Sequence, residues 1–156
     1  MALTTHSRTF RPATRLAGAF IGAGLAILVG TAAAHAATLT VTVEGIKSSK
    51  GNIEVSIYFN PKEWPDHPTD DHHQLLPAHN SSVVFKFEVP PGTYAAAGYH
   101  DENGNGKFDK SFLGLPEEGY LMSNNAKPML SAPGWDKVKF EVPASGASIS
   151  MKVVYP

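Results

Sequence analysis

The segment TLTVTVE, residues 38–44, decides the fold class. Leucine and valine occupy alternate positions from Leu39 to Val43, with threonine between them and Glu44 after them. Successive side chains of a β-strand point to opposite faces, so this alternation predicts a strand with one buried and one solvated face. Five further strand-like segments follow, at residues 53–59, 83–89, 94–99, 138–142 and 149–155.

Six short strands bounded by turns predict an all-β protein, an antiparallel β-sandwich of immunoglobulin-like or transthyretin-like architecture. The chain contains no pattern of an amphipathic helix and no internal repeat. We expect the first two strands to form a hairpin through the turn at residues 50–52, and the next two to form a second through the turn at residues 90–92. One of the long loops described below could also contain a seventh strand.

Two long connections, residues 60–81 and 100–135, interrupt the strand pattern. The first holds four prolines and four histidines, and we expect from it only a short helical turn at residues 73–76. The second is rich in glycine, proline, asparagine and serine. Loops longer than about 12 to 15 residues are uncommon in compact domains and are often functional, so we expect the functional site in these two connections.

The N-terminus has the pattern of a secretory signal peptide. Three arginines precede an apolar, Gly/Ala-rich run at residues 16–34, and Ala34-His35-Ala36 places small residues at both recognition positions. The glycine and alanine content favours cleavage over a retained membrane anchor. We therefore expect residues 1–36 to be removed and residues 37–156 to form a single domain without a stable membrane anchor, exported to the periplasm or the outside.

Charge and cysteine content exclude several classes of protein. All three arginines lie in the leader, which leaves ten lysines against 14 acidic residues in residues 37–156, a net charge of −4. An acidic domain without arginine lacks the basic surface that nucleic-acid binding requires. The absence of cysteine excludes disulfides, thiolate metal sites and a cysteine nucleophile.

The main candidate site is HDENGNGKFDK, residues 100–110. It matches the first positions of the calcium-loop pattern D-x-[DN]-x-[DN]-G, in which oxygen-bearing side chains alternate and a glycine allows a sharp bend. We therefore predict a structural Ca²⁺ site. Its predicted ligands are Asp101, Asn103, Asn105, the backbone carbonyl of Lys107, and Asp109.

The twelfth position departs from the EF-hand pattern, because Phe112 stands where a bidentate glutamate is required. No flanking helices are predicted either, so the loop joins β-strands and is not an EF-hand. We expect Glu117 or Glu118 to complete the calcium shell, a choice that spacing does not make. The competing interpretation is an Asn-Gly turn with solvated acids, which needs no metal.

Other constellations give weaker alternatives. His67, His72 and His73, with His79 and His100 elsewhere, could bind Cu or Zn, although their spacing matches no compact ligand pattern. A hydrolase would have to use His100 or the adjacent glutamates, since no nucleophile elbow or phosphate loop is present. Two loop residues, Trp64 and Trp135, are expected to pin loops onto the sandwich; their alternative role is as platforms for a glycan or protein.

The chain resembles the domain-of-unknown-function 2141 family of exported bacterial proteins. The resemblance rests on residues 100–109, on LGLPEEGY at 113–120, on SNNA at 123–126, and on PGTY at 91–94. It implies an exported sandwich similar to transthyretin-like or carboxypeptidase-regulatory-like domains, and it implies no activity. The His-rich segment at residues 66–73 is not part of this family pattern.

The sequence therefore predicts an exported, non-enzymatic β-sandwich module. In this interpretation calcium organises residues 100–135 into a surface that binds an unidentified protein or glycan partner. The alternatives are a transition-metal protein that uses the His-rich loop and a carboxylate- or histidine-dependent hydrolase.

Overall fold

A computed structural model describes residues 35–66, 68, 72–129 and 131–156. Residues 1–34, which carry nearly all of the predicted signal peptide, lie outside the described residues. No helix within the described ranges is long and apolar enough to cross a membrane.

The described chain is nearly all β, as predicted. Its regular elements also include a 3₁₀ turn at Ser123–Asn125 and a single helical turn, α1, at Trp135–Val138. The strands are β1 (Ala37–Ile46), β2 (Asn52–Tyr58), β3 (His73–Pro77), β4 (Ser81–Val89), β5 (Gly92–Asp101), β6 (Gly119–Met122), β7 (Phe140–Val142) and β8 (Ala147–Lys152).

The strands form two sheets in a sandwich-like arrangement. The first has the order β4-β1-β8, with β1 antiparallel to β4 and parallel to β8. The second has the order β3-β2-β5-β6, and β7 pairs with the first residues of β5. The residues that follow β8 return to the second sheet, where Val154 pairs with Tyr120. The predicted sandwich is thereby confirmed.

The core lies between the two sheets and contains the side chains that the alternation predicted to be buried. Leu39, Val41 and Val43 of β1 are fully buried, and they share one cluster with Ile53 and the other inward residues of β2. Burying one such aliphatic side chain stabilises the fold by roughly 1.5 to 3 kcal/mol. The inward faces therefore fix which side of each sheet remains available to solvent and to ligands.

Both predicted hairpins are wrong. β1 and β2 lie in different sheets, and so do β4 and β5. A bulge between Glu44 and Ile46 ends the regular register of β1, and the connection at residues 47–51 is longer than a tight hairpin turn. Between β4 and β5, Pro90 and Pro91 have no N–H to donate to a hairpin ladder. In both places the chain crosses from one sheet to the other.

The long connections contain two strands, more than the single additional strand for which the sequence left room. β3 replaces the helical turn expected at residues 73–76, and β6 lies within the second long connection. The strand expected at residues 138–142 begins only at Phe140, because Val138 belongs to α1. These two hidden strands extend the second sheet on both sides.

Candidate functional site

A groove of about 570 Å³ lies on the outer face of the second sheet. The floor is built from residues that alternate with the buried side chains of β2 and from the facing residues of β5 and β6. The small residues Ala97 and Gly98 make the floor low at its centre. A Cβ atom on Gly98 would lie 2.0 Å from the carbonyl oxygen of Glu54, so only glycine allows β2 and β5 to approach so closely there.

The two long connections in which the sequence placed function both contribute walls to this groove. Pro65 and Asp66 come from the segment after β2. Phe108 and Leu115 come from the segment after β5, and Met129 comes from the segment after β6. The groove volume falls within the range of small-molecule sites, about 300 to 1,000 Å³.

The tryptophans hold these walls in place, as predicted. Trp64 packs edge-on against Tyr58 with ring centroids 5.0 Å apart, and its indole Nε1 donates to the Pro133 carbonyl at 2.7 Å. Trp135 joins the same small cluster, together with Val138. The cluster lies on the outer face of the sheet and ties the segment after β2 to the segment before β7.

The cation loop, which we define as residues 101–109, is organised around the carboxylate of Asp101. This side chain is buried and accepts backbone N–H groups from Gly104 at 2.7 Å, Asn105 at 3.1 Å and Gly106 at 2.8 Å. Both glycines have positive φ, +74° and +71°, a conformation that favours glycine because it has no Cβ. The chain therefore bends around Asp101 as the calcium-loop pattern requires.

The predicted ligands after Asp101 converge on Asp109. The side-chain amides of Asn103 and Asn105 donate to one oxygen of Asp109 at 2.6 Å and 2.8 Å. Their own oxygens accept the backbone N–H groups two residues further on, at 2.9 Å and 2.8 Å. Two neutral amide groups thus direct the partial positive charge of their N–H groups at Asp109, one of the residues predicted to bind the cation.

Glu118, and not Glu117, closes the loop. Its side chain is only 5% exposed, and Oε2 accepts the backbone N–H of Asp109 at 3.2 Å. Its Oε1 is buried without a hydrogen-bond partner among the described residues. Burial raises the pKa of Glu118, and the charges of Asp109 and Asp101 raise it further, while the backbone N–H groups of Asp109 and Glu102 act in the opposite direction.

Residues 109–117 form what we call the wall hairpin. The N–H of Glu117 donates to the Asp109 carbonyl at 3.0 Å, and the N–H of Ser111 donates to the Leu115 carbonyl at 2.8 Å. Glu117 is exposed, while Phe112 lies at the tip and is 97% exposed. The hairpin joins the cation loop directly to the wall of the groove.

The base of the cation loop rests on residues 47–51. The carboxylate of Glu102 accepts from Ser48 Oγ at 3.0 Å and pairs with Lys47 Nζ at 2.9 Å. Burial acts to raise the pKa of Glu102, but these two hydrogen bonds and the lysine charge hold it below its ordinary value. Gly51 packs so tightly that a Cβ atom would lie 1.8 Å from the Asp101 carbonyl oxygen.

The histidines do not form a cluster within the described residues. His100 is fully buried, with its ring nitrogens 2.7 Å from the Tyr155 hydroxyl and 2.8 Å from the Lys50 carbonyl. His72 packs against Phe59, and His73 is exposed on β3. His67 lies outside the described residues. No three histidine, aspartate or glutamate side chains converge on a metal position in the described ranges.

The groove has a negative electrostatic character. The Tyr99 hydroxyl donates to Glu54 Oε2 at 2.7 Å. Burial, this hydrogen bond, and the charges of Glu54, Asp101 and Glu118 raise the pKa of Tyr99. Burial, followed by the charges of Asp66 and Glu54, raises the pKa of Tyr58 to about 12. Sequence analysis missed this pairing, because Glu54 and Tyr99 meet only through the β2–β5 register.

Comparison with known families gives one match. The family described as "Uncharacterized protein conserved in bacteria (DUF2141)" matches residues 41–150, from β1 into β8. No curated protein and no solved structure matches the chain. The chain belongs to the DUF2141 family, which confirms the resemblance drawn from the cation loop and the residues after it.

Proposed function

We propose that this member of the DUF2141 family is an exported, non-enzymatic binding module, in which calcium holds the wall of a ligand-binding groove. Export is supported by the leader pattern at residues 1–36. Binding is supported by the groove, because a concave surface with apolar walls and a few polar groups is the usual form of a ligand site.

The observation that carries the calcium role is the buried Oε1 of Glu118, which has no hydrogen-bond partner in the part of the chain that the structure describes. A buried polar atom without a partner costs about 1 to 3 kcal/mol, and more when it is charged. Two further carboxylates, those of Asp101 and Asp109, act on the same group and raise its pKa. A divalent cation at this point relieves both the missing partner and the repulsion.

The oxygen atoms of the loop fit calcium in number and kind. Calcium takes six to eight oxygen ligands and accepts mixed carboxylate, amide, carbonyl and water shells. The chain offers carboxylates from Asp101, Asp109 and Glu118, side-chain oxygens from the two asparagines, and the Lys107 carbonyl. Among the described residues the three carboxylates do not converge on one metal position, so calcium would have to draw them together. The two asparagine amides, whose N–H groups donate to Asp109, would have to present their oxygens instead. Glu117 is exposed and is left out of this shell.

Thermal melting of residues 37–156, which contain both sheets and the described core, tests the proposal. At a calcium concentration a hundredfold above Kd, binding adds about 2.7 kcal/mol of stability. For a domain of this size that raises the melting temperature by about 10 °C relative to chelator. Magnesium and zinc serve as comparison ions. The calcium role is wrong if calcium and chelator give the same curve.

A further inference from the structure

The groove combines aromatic rings with negative charge, a pairing that neither an apolar ligand nor an anion requires. Tyr58, Tyr99, Tyr120 and Phe108 all line it. The rings of Tyr99 and Phe108 lie 5.5 Å apart at an angle of 42°, so they form a corner and not a flat stack. A corner of aromatic faces presents the negative side of more than one ring to a ligand.

Carboxylates add negative charge beside the electron-rich faces of the rings. Glu54 lies on the floor and Asp66 on the wall, while Lys110 is the one cationic side chain of the described lining. The Tyr99 hydroxyl occupies Oε2 of Glu54 and contributes no positive charge of its own. Neither of the two ion pairs among the described residues involves the Glu54 carboxylate.

Lys110 already shows how a cation sits at this place. Its ammonium group lies 5.3 Å from the centroid of the Phe108 ring, within the range of a cation–π contact. Lys110 is exposed, so its long side chain is free to leave the ring at little cost. An organic cation in the groove would take up the same kind of contact with Phe108 and Tyr99 and would gain the charge of Glu54.

We propose that the groove binds a small organic cation, held between the aromatic corner and the Glu54 carboxylate. The proposal rests on the proposed function only in that the groove is the binding site. The ligand class is an amine or quaternary ammonium compound with an apolar body, since both apolar walls and a carboxylate contact it. Neutral sugars would stack on the same rings and donate hydroxyl hydrogen bonds to the carboxylate, but they bring no positive charge, and they serve as a competing class in the test.

The test compares choline with 3,3-dimethylbutan-1-ol, which has the same shape without the charge. Binding to residues 37–156 is followed by calorimetry and by NMR shifts, in calcium and in chelator. We expect choline to bind about tenfold more tightly than the alcohol. Glucose and a glucose oligomer are titrated in parallel.

Two variants with opposite expected effects on choline affinity make the test specific. Glu54→Gln keeps an acceptor for Tyr99 and should weaken choline binding about tenfold without changing the alcohol. Lys110→Gln removes the competing ammonium and should strengthen choline binding. Glu44→Gln, an exposed residue of β1 in the other sheet, should change neither. Melting temperatures of all three variants check that each is folded.

Equal affinity for choline and the alcohol, binding of the sugars alone, or the absence of any choline binding would overturn the proposal. So would a Glu54→Gln protein that is folded and binds choline as the unchanged protein does. The calcium role is tested separately by thermal melting, in samples that contain no groove ligand. A calcium-dependent melting shift without choline binding therefore refutes the ligand class alone, and choline binding without the shift refutes calcium alone.

Discussion

Glu118→Gln should change the stability of this protein in opposite directions with and without calcium. The substitution keeps the size of the side chain and removes its charge from a position that is 5% exposed. Without calcium the charge is a cost, because Oε1 has no partner among the described residues and the Asp101 and Asp109 charges act on the same group. In the proposed calcium site the same charge is a ligand.

The expected sizes follow from these contacts. Removing a buried charged oxygen without a partner should raise the free energy of unfolding in chelator by about 1 kcal/mol, which is about 4 °C in melting temperature. A hundredfold excess of calcium over Kd adds about 2.7 kcal/mol to the unchanged protein. If the variant binds calcium a hundredfold more weakly, the same calcium concentration adds only about 0.4 kcal/mol. The order of stability therefore reverses.

The pH dependence gives an independent reading of the same group. Burial raises the folded-state pKa of Glu118, so at pH values between the ordinary glutamate pKa and this raised value the folded protein keeps a proton that the unfolded chain has lost. The stability that this proton contributes is complete below the ordinary glutamate pKa and is lost as pH rises through the raised folded-state value. In chelator, Glu118→Gln should remove this component of the pH dependence.

Urea unfolding and thermal melting of both proteins, in calcium and in chelator, measure these changes. Glu117→Gln is the matched control, because the neighbouring carboxylate is exposed and should alter neither condition. The reasoning is refuted if Glu118→Gln destabilises the protein equally in chelator and in calcium. That result would make Glu118 an ordinary structural residue.

Two further changes test the supports of the loop and of the groove, both by urea unfolding. Gly51→Ala combines a positive φ of +66° with a Cβ that would lie 1.8 Å from a backbone oxygen of the cation loop. Gly114→Ala, at φ +77° with open space around its Cβ, should cost only about 1 to 2 kcal/mol, and Gly51→Ala at least twice as much. Ser123→Ala should cost about 2 to 3 kcal/mol, because the buried hydroxyl accepts the Ala96 N–H at 3.0 Å and donates to the Val138 carbonyl at 2.6 Å. Losses below 1 kcal/mol for Gly51→Ala or Ser123→Ala would contradict these contacts.

The sequence correctly predicted the strands that have one apolar face. It missed the strands in which neither face is apolar. β1 and β4 alternate strictly, and their buried and exposed residues follow the predicted pattern. β3 has no fully buried residue, and Leu75 on it is 46% exposed, so its sequence carried no period to detect. β6 has four residues, fewer than a reliable period requires. The pairing of the strands could not be predicted from local patterns either. Alternation shows which face of a strand is buried, but it does not show which strand lies beside it.

The candidate site was predictable as far as it is local. Residues 101–109 carry the turn glycines and the carboxylate that collects the amides, and the structure places them in one loop. The choice between Glu117 and Glu118 depends on pairing within the wall hairpin. Glu117 is opposite Asp109 in that hairpin, and in an extended chain the next side chain points to the other face. Glu118 therefore turns inward, a result that no spacing rule for helix-flanked calcium loops contains.

The wall hairpin joins the cation loop and the groove into one structural unit. Its base is held by the Asp109 N–H on Glu118, and its inner side gives Leu115 to the groove next to Phe108. The proposed cation at Glu118 and Asp109 would therefore fix the wall on which the proposed organic ligand would rest. It also adds positive charge near Tyr99, which acts against a cationic ligand. Because linkage is reciprocal, calcium must change choline affinity by the same factor by which choline changes calcium affinity. If calcium strengthens choline binding, the ordering of the wall is the larger effect. If calcium weakens choline binding, electrostatic repulsion is the larger effect.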